Sequence, residues 1–335
     1  MALGILVGLA IVVIYCFGGV ANSSGTANSS ELVRKQYKYF KTLTIEGDVT
    51  ALAFTQYGRL LVIGTGDGRI LVWDTSSHEI VNSIAAHSKE VANLSFSADG
   101  QFLASASSDQ TVKIWHFPTG VPEAILKQEN SYKFKIPIAF SPNRQLLAVG
   151  GYETMALYRL DQMDSIRIAS DKKMASPNTG FSSAIMFTPD GTFCALVGQN
   201  ALISVWNTDD WTMHRIIKAH SEIKHISISP AGLLASTGDD KAITLWNLAT
   251  GEPQRTLTHH GESYSALAFN GEILAAAVDK KVSLWDVHTG DLLEDDESGQ
   301  DYFGISRLVF SSDNGKFLAA GGHGYVALFT REATR

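Results

Sequence analysis

The sequence predicts an all-β body of tandem units behind a single N-terminal transmembrane helix, on three observations. An apolar run closed by an aromatic recurs seven times, as "ILVWDT", "VKIWHF", "MALYRL", "ISVWNT", "ITLWNL", "VSLWDV" and "VALFTR", marked by Trp73, Trp115, Tyr158, Trp206, Trp246, Trp285 and Phe329. The spacings of 42, 43, 48, 40, 39 and 44 residues belong to a supersecondary unit, not to a helix heptad or a single strand. Inside the units a β-rich run ("VTALAF", "VANLSF", "SSAIMF", "KHISIS") leads through a turn ("SADGQ", "SPNRQ", "TPDGT") into a second run ("FLASAS", "LLAVGG"), which makes three to four short strands each. Finally, Ala2 to Ala21 contains no charged residue.

Repeat two, "AAHSKEVANLSFSADGQFLASASSDQTVKIWH", matches the WD-repeat pattern closely, and the chain resembles that family over roughly residues 41–330. The resemblance implies a seven-bladed β-propeller with four antiparallel strands per blade. Units that are apolar on both faces can bury them only between neighbours, which agrees with that architecture. Six residues follow Phe329, too few for another strand and its turn. "KTLTI" at Lys41 to Ile45 is therefore expected to pair with the "VALF" strand, closing the ring and removing an exposed edge. The expected organisation is an anchor at 1–21, an Asn/Ser-rich linker and basic juxtamembrane segment at 22–40, the propeller at 41–330 and a tail at 331–335.

His87, Ser105 and Asp109 in repeat two, and His220, Ser236 and Asp240 in repeat five, have the residue types of a hydrolytic triad. With Trp115 and Trp246 they also match the family's structural tetrad, in which a loop histidine, Ser and Asp hydrogen-bond toward the buried indole N–H. Recurrence by repeat, the lack of a G-x-S-x-G turn and the lack of an oxyanion-hole signature favour the structural role, and no catalytic residue is assigned. Ile63 stands at the Ser position of repeat one and Ala275 at that of repeat six, while Tyr152, Asn200 and His323 replace the Asp in repeats three, four and seven. Those last three blades are expected to be held by packing. The ten histidines show no metal-ligand spacing, so no metal is assigned, and His259-His260 reads as a loop histidine and its neighbour. "GTGDGR" does not sit at a strand-to-helix turn and reads as a tight hairpin, so no phosphate cradle or cofactor is expected.

With 27 basic and 34 acidic residues the net charge is −7, which argues against nucleic acid as a partner; no small-molecule substrate is indicated. The two cysteines, Cys16 and Cys194, lie in the opening run and in a distant strand-like segment, a pattern that fits a reducing compartment.

Twenty residues of helix rise about 30 Å, the thickness of a bilayer core, so Ala2 to Ala21 can span a membrane. Gly19 and Ala21 have signal-cleavage spacing, and sequons stand at Asn22, Asn28 and Asn93; yet the segment lacks a basic n-region and its apolar run is long for a signal peptide. Arg34, Lys35, Lys38 and Lys41 follow the run, and by the positive-inside rule they place the propeller on the cytosolic side, at the endoplasmic reticulum or another organelle membrane. Gly4 and Gly8 form a G-x-x-x-G step suited to close helix packing.

The loops that enter repeats three, four and seven are long, "KQENSYKFK", "SDKKMASPNTGFS" and "EDDESGQDYFG". They present Tyr132, Lys133, Phe134, Lys135, Lys172 and Lys173 on one side of the ring and Glu294, Asp295, Asp296, Tyr302 and Phe303 roughly opposite. Aromatics set among charges of one sign fit an electrically two-sided face for protein partners. WD-repeat proteins generally act as platforms, so the resemblance implies a membrane-anchored scaffold or accessory subunit that binds other proteins, including a membrane protein, without catalysis. Its domain order is similar to that of transducin-β-like proteins. One alternative is a guanine-nucleotide exchange factor or regulator of a small GTPase at the endoplasmic reticulum; another is a lumenal or secreted recognition propeller after signal cleavage.

Overall fold

In the computed structural model, residues 37–128, 136–142, 146–151, 155–159, 165–166, 183–198, 201–258, 263–278, 281–295 and 304–331 are described. Strands pair with their sequence neighbours because alternate side chains are apolar and short turns connect them. Thus Val91–Phe96, Phe102–Ser107, Thr111–His116 and Val121–Lys127 form one antiparallel sheet. Its turns carry the residues they require: Gly100 and Gly120 have positive φ, and Ser97 caps its turn by hydrogen bonds to Asp99 and Phe102.

Among the described residues six sheets, rather than seven separate blades, make up the propeller: five are four-stranded and one is six-stranded. The cause is the 18-residue strand Tyr37–Phe54. Its first half pairs with the C-terminal strand Phe317–Arg331, with Lys41 to Thr44 opposite Leu328 to Tyr325, and its second half pairs with Leu60–Thr65. Continuous hydrogen bonding thereby merges the first and seventh repeats into one sheet. Within it the C-terminal strand doubles back at Gly324, so that the Arg331 N–H donates to the Lys316 carbonyl at 2.9 Å. The pairing expected between "KTLTI" and "VALF" is present, and no edge is left open there.

In the four-stranded sheets the two middle strands are largely buried on both faces. Leu103, Ala104, Ala106, Val112 and Ile114 illustrate this: Leu103 packs toward Val62, Ile70 and Val72 of the preceding sheet, and Ile114 toward Ile138 and Leu147 of the next. Outer strands such as Glu79–Ala85 are mostly exposed. Around the axis the inner strands are tied to their neighbours by side chain–backbone bonds. Thr50 Oγ1 donates to the Val91 carbonyl, the Phe140 N–H to Ser95 Oγ, and Ser265 Oγ to the Ile305 carbonyl, at 2.7, 3.0 and 2.5 Å.

Among the described residues no helix is long and apolar enough to cross a membrane. The segment Ala2 to Ala21, with Gly4 and Gly8, lies outside the described residues.

Candidate interaction surfaces

The structure brings the residues of both tetrads together. His87 precedes the inner strand of its sheet, Ser105 lies on the second strand, Asp109 in the following turn and Trp115 on the third. The Trp115 indole N–H donates to Ser105 Oγ at 2.8 Å, and Ser105 Oγ lies 2.7 Å from His87 Nε2. His87 Nδ1 is 3.1 Å from Asp109 Oδ2. The network fixes the tautomer: the serine hydroxyl gives its hydrogen to Nε2, and Nδ1–H donates to the carboxylate. Burial foremost holds the His87 pKa below its ordinary value, against the opposing charge of Asp109. Burial pushes the Asp109 carboxyl up, but hydrogen bonds from Thr111, the Ser88 N–H and His87 outweigh it and leave the carboxyl below its ordinary range. Repeat five repeats the geometry, with 2.8 Å from Trp246 Nε1 to Ser236 Oγ, 2.7 Å from there to His220 Nε2 and 2.7 Å from His220 Nδ1 to Asp240 Oδ2.

This arrangement has no vacancy for a substrate. Ser105 and Ser236 are both fully buried, and each hydroxyl is already engaged by an indole donor and an imidazole acceptor. The sets resemble triads only in residue type; in place they orient turns and satisfy tryptophans.

Other repeats satisfy the aromatic differently. In repeat four Trp206 donates to Ser204 of its own strand at 3.2 Å, because Leu196 faces Ser204 from the neighbouring strand. In repeat one Ile63 is buried and Trp73 Nε1 has no hydrogen-bond partner among the described residues. "GTGDGR" is a hairpin: Gly68 has φ +89°, and a Cβ there would sit 2.3 Å from the His87 carbonyl oxygen. Cys194 is fully buried, which pushes its thiol pKa well up.

Of the expected loop residues, Tyr132, Lys133, Phe134, Lys135, Lys172, Lys173, Asp296, Tyr302 and Phe303 lie outside the described residues, as do His259 and His260. Glu294 and Asp295 are not in a loop. They end the outer strand Leu292–Asp295, paired opposite Leu284 and Ser283, and the Ser283 hydroxyl donates to Asp295 at 2.5 Å. The strand reaches this far because Leu292 and Leu293 continue its pairing up to the acidic run.

A feature that sequence reading missed lies on the axis. The inner strands line a channel of about 780 Å³ of mixed polar and apolar character, and Asn93, His225 and Arg307 are among its lining residues. Each stands three residues before the aromatic or Ile that ends its run (Phe96, Ile228, Phe310), where other repeats have Ala51, Pro137 or Ala184, so the signal was present in the repeat alignment. Arg307 is held by donation from Nε to the Thr50 carbonyl at 2.7 Å and from Nη1 to the Ser306 carbonyl at 2.6 Å, which ties the seventh repeat to the first. The sequon Asn93 is half-buried in the strand Val91–Phe96 that lines this channel, a poor place for a glycan.

Comparison with known proteins fits this geometry. The family model "WD domain, G-beta repeat" matches residues 78–116, 211–247 and 251–286, and "Anaphase-promoting complex subunit 4 WD40 domain" matches residues 35–92. Periodic tryptophan protein 2 of Arabidopsis thaliana is 24% identical over 306 residues, 84% of this chain and 33% of the relative. A Drosophila melanogaster retinoblastoma-binding protein 5 homolog is 41% identical over 86 residues, 26% of this chain and 16% of its own length. Pre-mRNA-processing factor 19 homolog 2 of Arabidopsis thaliana is 25% identical over 192 residues, 56% of this chain and 36% of the relative. The chain thus spans about a third or less of these relatives. Together the matches and the sheets show similarity to WD repeats over these segments and an all-β propeller.

Proposed function

We propose that this chain is a membrane-anchored, non-enzymatic scaffold that holds other proteins at a membrane. The observation that carries the scaffold reading is the tetrad geometry: the residues best suited to catalysis are buried and committed to one another in two sheets. What a rigid ring then offers is its turns and loops, and function in such proteins concentrates there. Relatives named for what they bind, a retinoblastoma-binding protein homolog and a p21-activated protein kinase-interacting protein, support the same class of role. The uncharged run Ala2 to Ala21, followed by Arg34, Lys35, Lys38 and Lys41, supports a membrane anchor with the propeller on the cytosolic side.

Co-purification from detergent-solubilised membranes tests the reading. The wild-type chain is expected to bring down a defined partner. Glu at Lys133, Lys135, Lys172 and Lys173 should remove one contact, and Ala at Tyr302 and Phe303 should weaken another, both at unchanged melting temperature. Gly4→Leu with Gly8→Leu should keep the chain in membranes yet release a membrane partner. Recovery of the chain in the soluble fraction, or a glycosidase-sensitive size shift, would overturn the cytosolic anchor.

A further inference from the structure

We infer that the closure seam carries a cationic and aromatic docking surface for anionic lipid headgroups, at the end of the propeller where the N-terminal segment joins it. The inference rests on the membrane-anchor reading.

In an antiparallel four-stranded sheet the turns between strands one and two and between strands three and four lie at the same end. Backbone bonds confirm it here: the Thr75 N–H donates to the Arg59 carbonyl, Thr208 to Thr192 and Val287 to Glu272, each at 2.9–3.0 Å. Tyr37 enters at this end, its hydroxyl donating to the Gly315 carbonyl at 2.5 Å. The tyrosine is buried, and burial pushes its pKa up to about 12. The chain is therefore pinned to this end of the molecule where it emerges from residues 1–36. The fifteen residues 22–36 separate Ala21 from Tyr37. Even fully extended they reach no more than about 54 Å, so a bilayer holding Ala2 to Ala21 lies close to this end.

The seam differs from the rest of that end. Tyr57, 77% exposed and at φ +67°, occupies the turn Gln56–Gly58, and Arg59 follows it, also exposed. Phe40 is also exposed, with its ring 4.9 Å from His78 and 6.3 Å from Phe317. Lys316 lies over the Phe317 ring at 5.4 Å, and Lys41 Nζ donates to the His78 carbonyl at 3.2 Å. Lys38, Lys41 and Lys316 are all exposed. Of the nearby acids, Asp74 is occupied by the Ser76 and Ser77 N–H groups and Arg59, Asp313 accepts from Ser311, and Glu79 is exposed. Turns at the same end of the other sheets carry more acids, with Asp99, Asp190, Asp210, Glu252, Glu272 and Asp291 exposed, against Arg215 and Arg255, whose guanidinium groups donate to the Ala249 and His288 carbonyls.

Cations beside exposed aromatic rings fit a membrane interface: the cations attract anionic headgroups, and the rings sit at headgroup depth. The acidic remainder of that end would be repelled by the same surface. The lipid surface is preferred to a protein partner because the cations gather where the apolar segment Ala2 to Ala21 joins the ring.

The test uses the full chain with Cys16→Ser and Ser77→Cys, labelled at 77 with an environment-sensitive dye; the buried thiol of Cys194 stays unlabelled. It is reconstituted into vesicles of phosphatidylcholine alone or with phosphatidylserine. We expect a blue shift and loss of iodide quenching only when phosphatidylserine is present. High salt should reverse both in the wild-type background, as should Glu at Lys38, Lys41, Arg59 and Lys316 at unchanged melting temperature. A label at Ser88→Cys, at the opposite end, should stay accessible throughout. Loss from neutral vesicles on alkaline extraction would overturn the anchor. Retention with accessibility at 77 unchanged by phosphatidylserine, or shielding only when a co-purifying protein is added, would overturn the docking surface alone.

Discussion

Repeats one and two stand side by side, yet they hold their signature tryptophans by different means. Trp115 gives its indole N–H to Ser105, within a chain that runs on to His87 and Asp109. Trp73 is equally buried, but Ile63 occupies the serine's place and the indole nitrogen has no partner among the described residues. In exchange Trp73 stacks on His78 at 6.0 Å and meets Phe317 edge-on at 6.3 Å, inside a cluster that also holds Leu43, Ile45 and Val326. A buried unpaired donor costs about 1–3 kcal/mol. Burying a side chain such as Ile63 contributes about 1.5–3 kcal/mol. The two effects nearly cancel, so packing can replace the hydrogen-bond chain, provided neighbouring residues complete the cluster. In repeat one those neighbours come from the closure strand and the C-terminal strand.

This dependence says where the molecule should break first. A chain starting at Val49 loses Tyr37, Leu43 and Ile45, all buried, at about 1.5–3 kcal/mol each, and opens the Val326–Phe329 edge. Thermal melting should show it far below a chain starting at Glu31, the largest effect expected here; equal melting temperatures would show that the seam contributes nothing.

The next contrast is chemical. Ile63→Ala opens a cavity in repeat one and should cost about 2–5 kcal/mol. Ser105→Ala strands the Trp115 N–H in repeat two and should cost about 1–3 kcal/mol. Denaturant unfolding of the two variants decides the order, and a larger loss for Ser105→Ala would reverse the comparison.

Repeat two should also lose stability in mild acid through its buried histidine. His87 has a folded pKa lowered from 6.5, chiefly by burial. Below that ordinary value the unfolded chain binds the proton and the folded chain resists it, so stability is complete above 6.5 and lost as pH falls toward the folded value. Asp109, held below its ordinary 3.8, adds a separate loss at still lower pH. Melting temperature followed against pH should fall through the first window, and His87→Gln should flatten that fall.

The smallest effect is the sharpest. Trp73→Phe and Trp115→Phe truncate buried rings alike and each leaves a cavity, but Trp115→Phe also deprives Ser105 of its donor and should cost about 0.5–1.5 kcal/mol more. Equal costs would mean that Trp73 has found a partner in solution.

The repeat period, the strand-turn grammar and the positions of His87, Ser105, Asp109 and Trp115 were legible in the sequence, because each depends on neighbours within one unit. So was the need for an outer strand from Lys41 to Ile45, since Phe329 leaves too little chain after it. Only the tertiary structure decided that Tyr37–Phe54 runs unbroken through two repeats, merging them into one six-stranded sheet and reducing seven expected blades to six sheets. It also decided that Glu294 and Asp295 extend a strand, that Arg307 spans the seam inside the channel, and that Lys41 meets the His78 carbonyl while Lys316 lies over the Phe317 ring. These outcomes depend on pairings such as Tyr37 with Arg331, which form only when the ring closes. Local alternation of apolar and polar residues sets which face a side chain takes, but not which distant strand it meets.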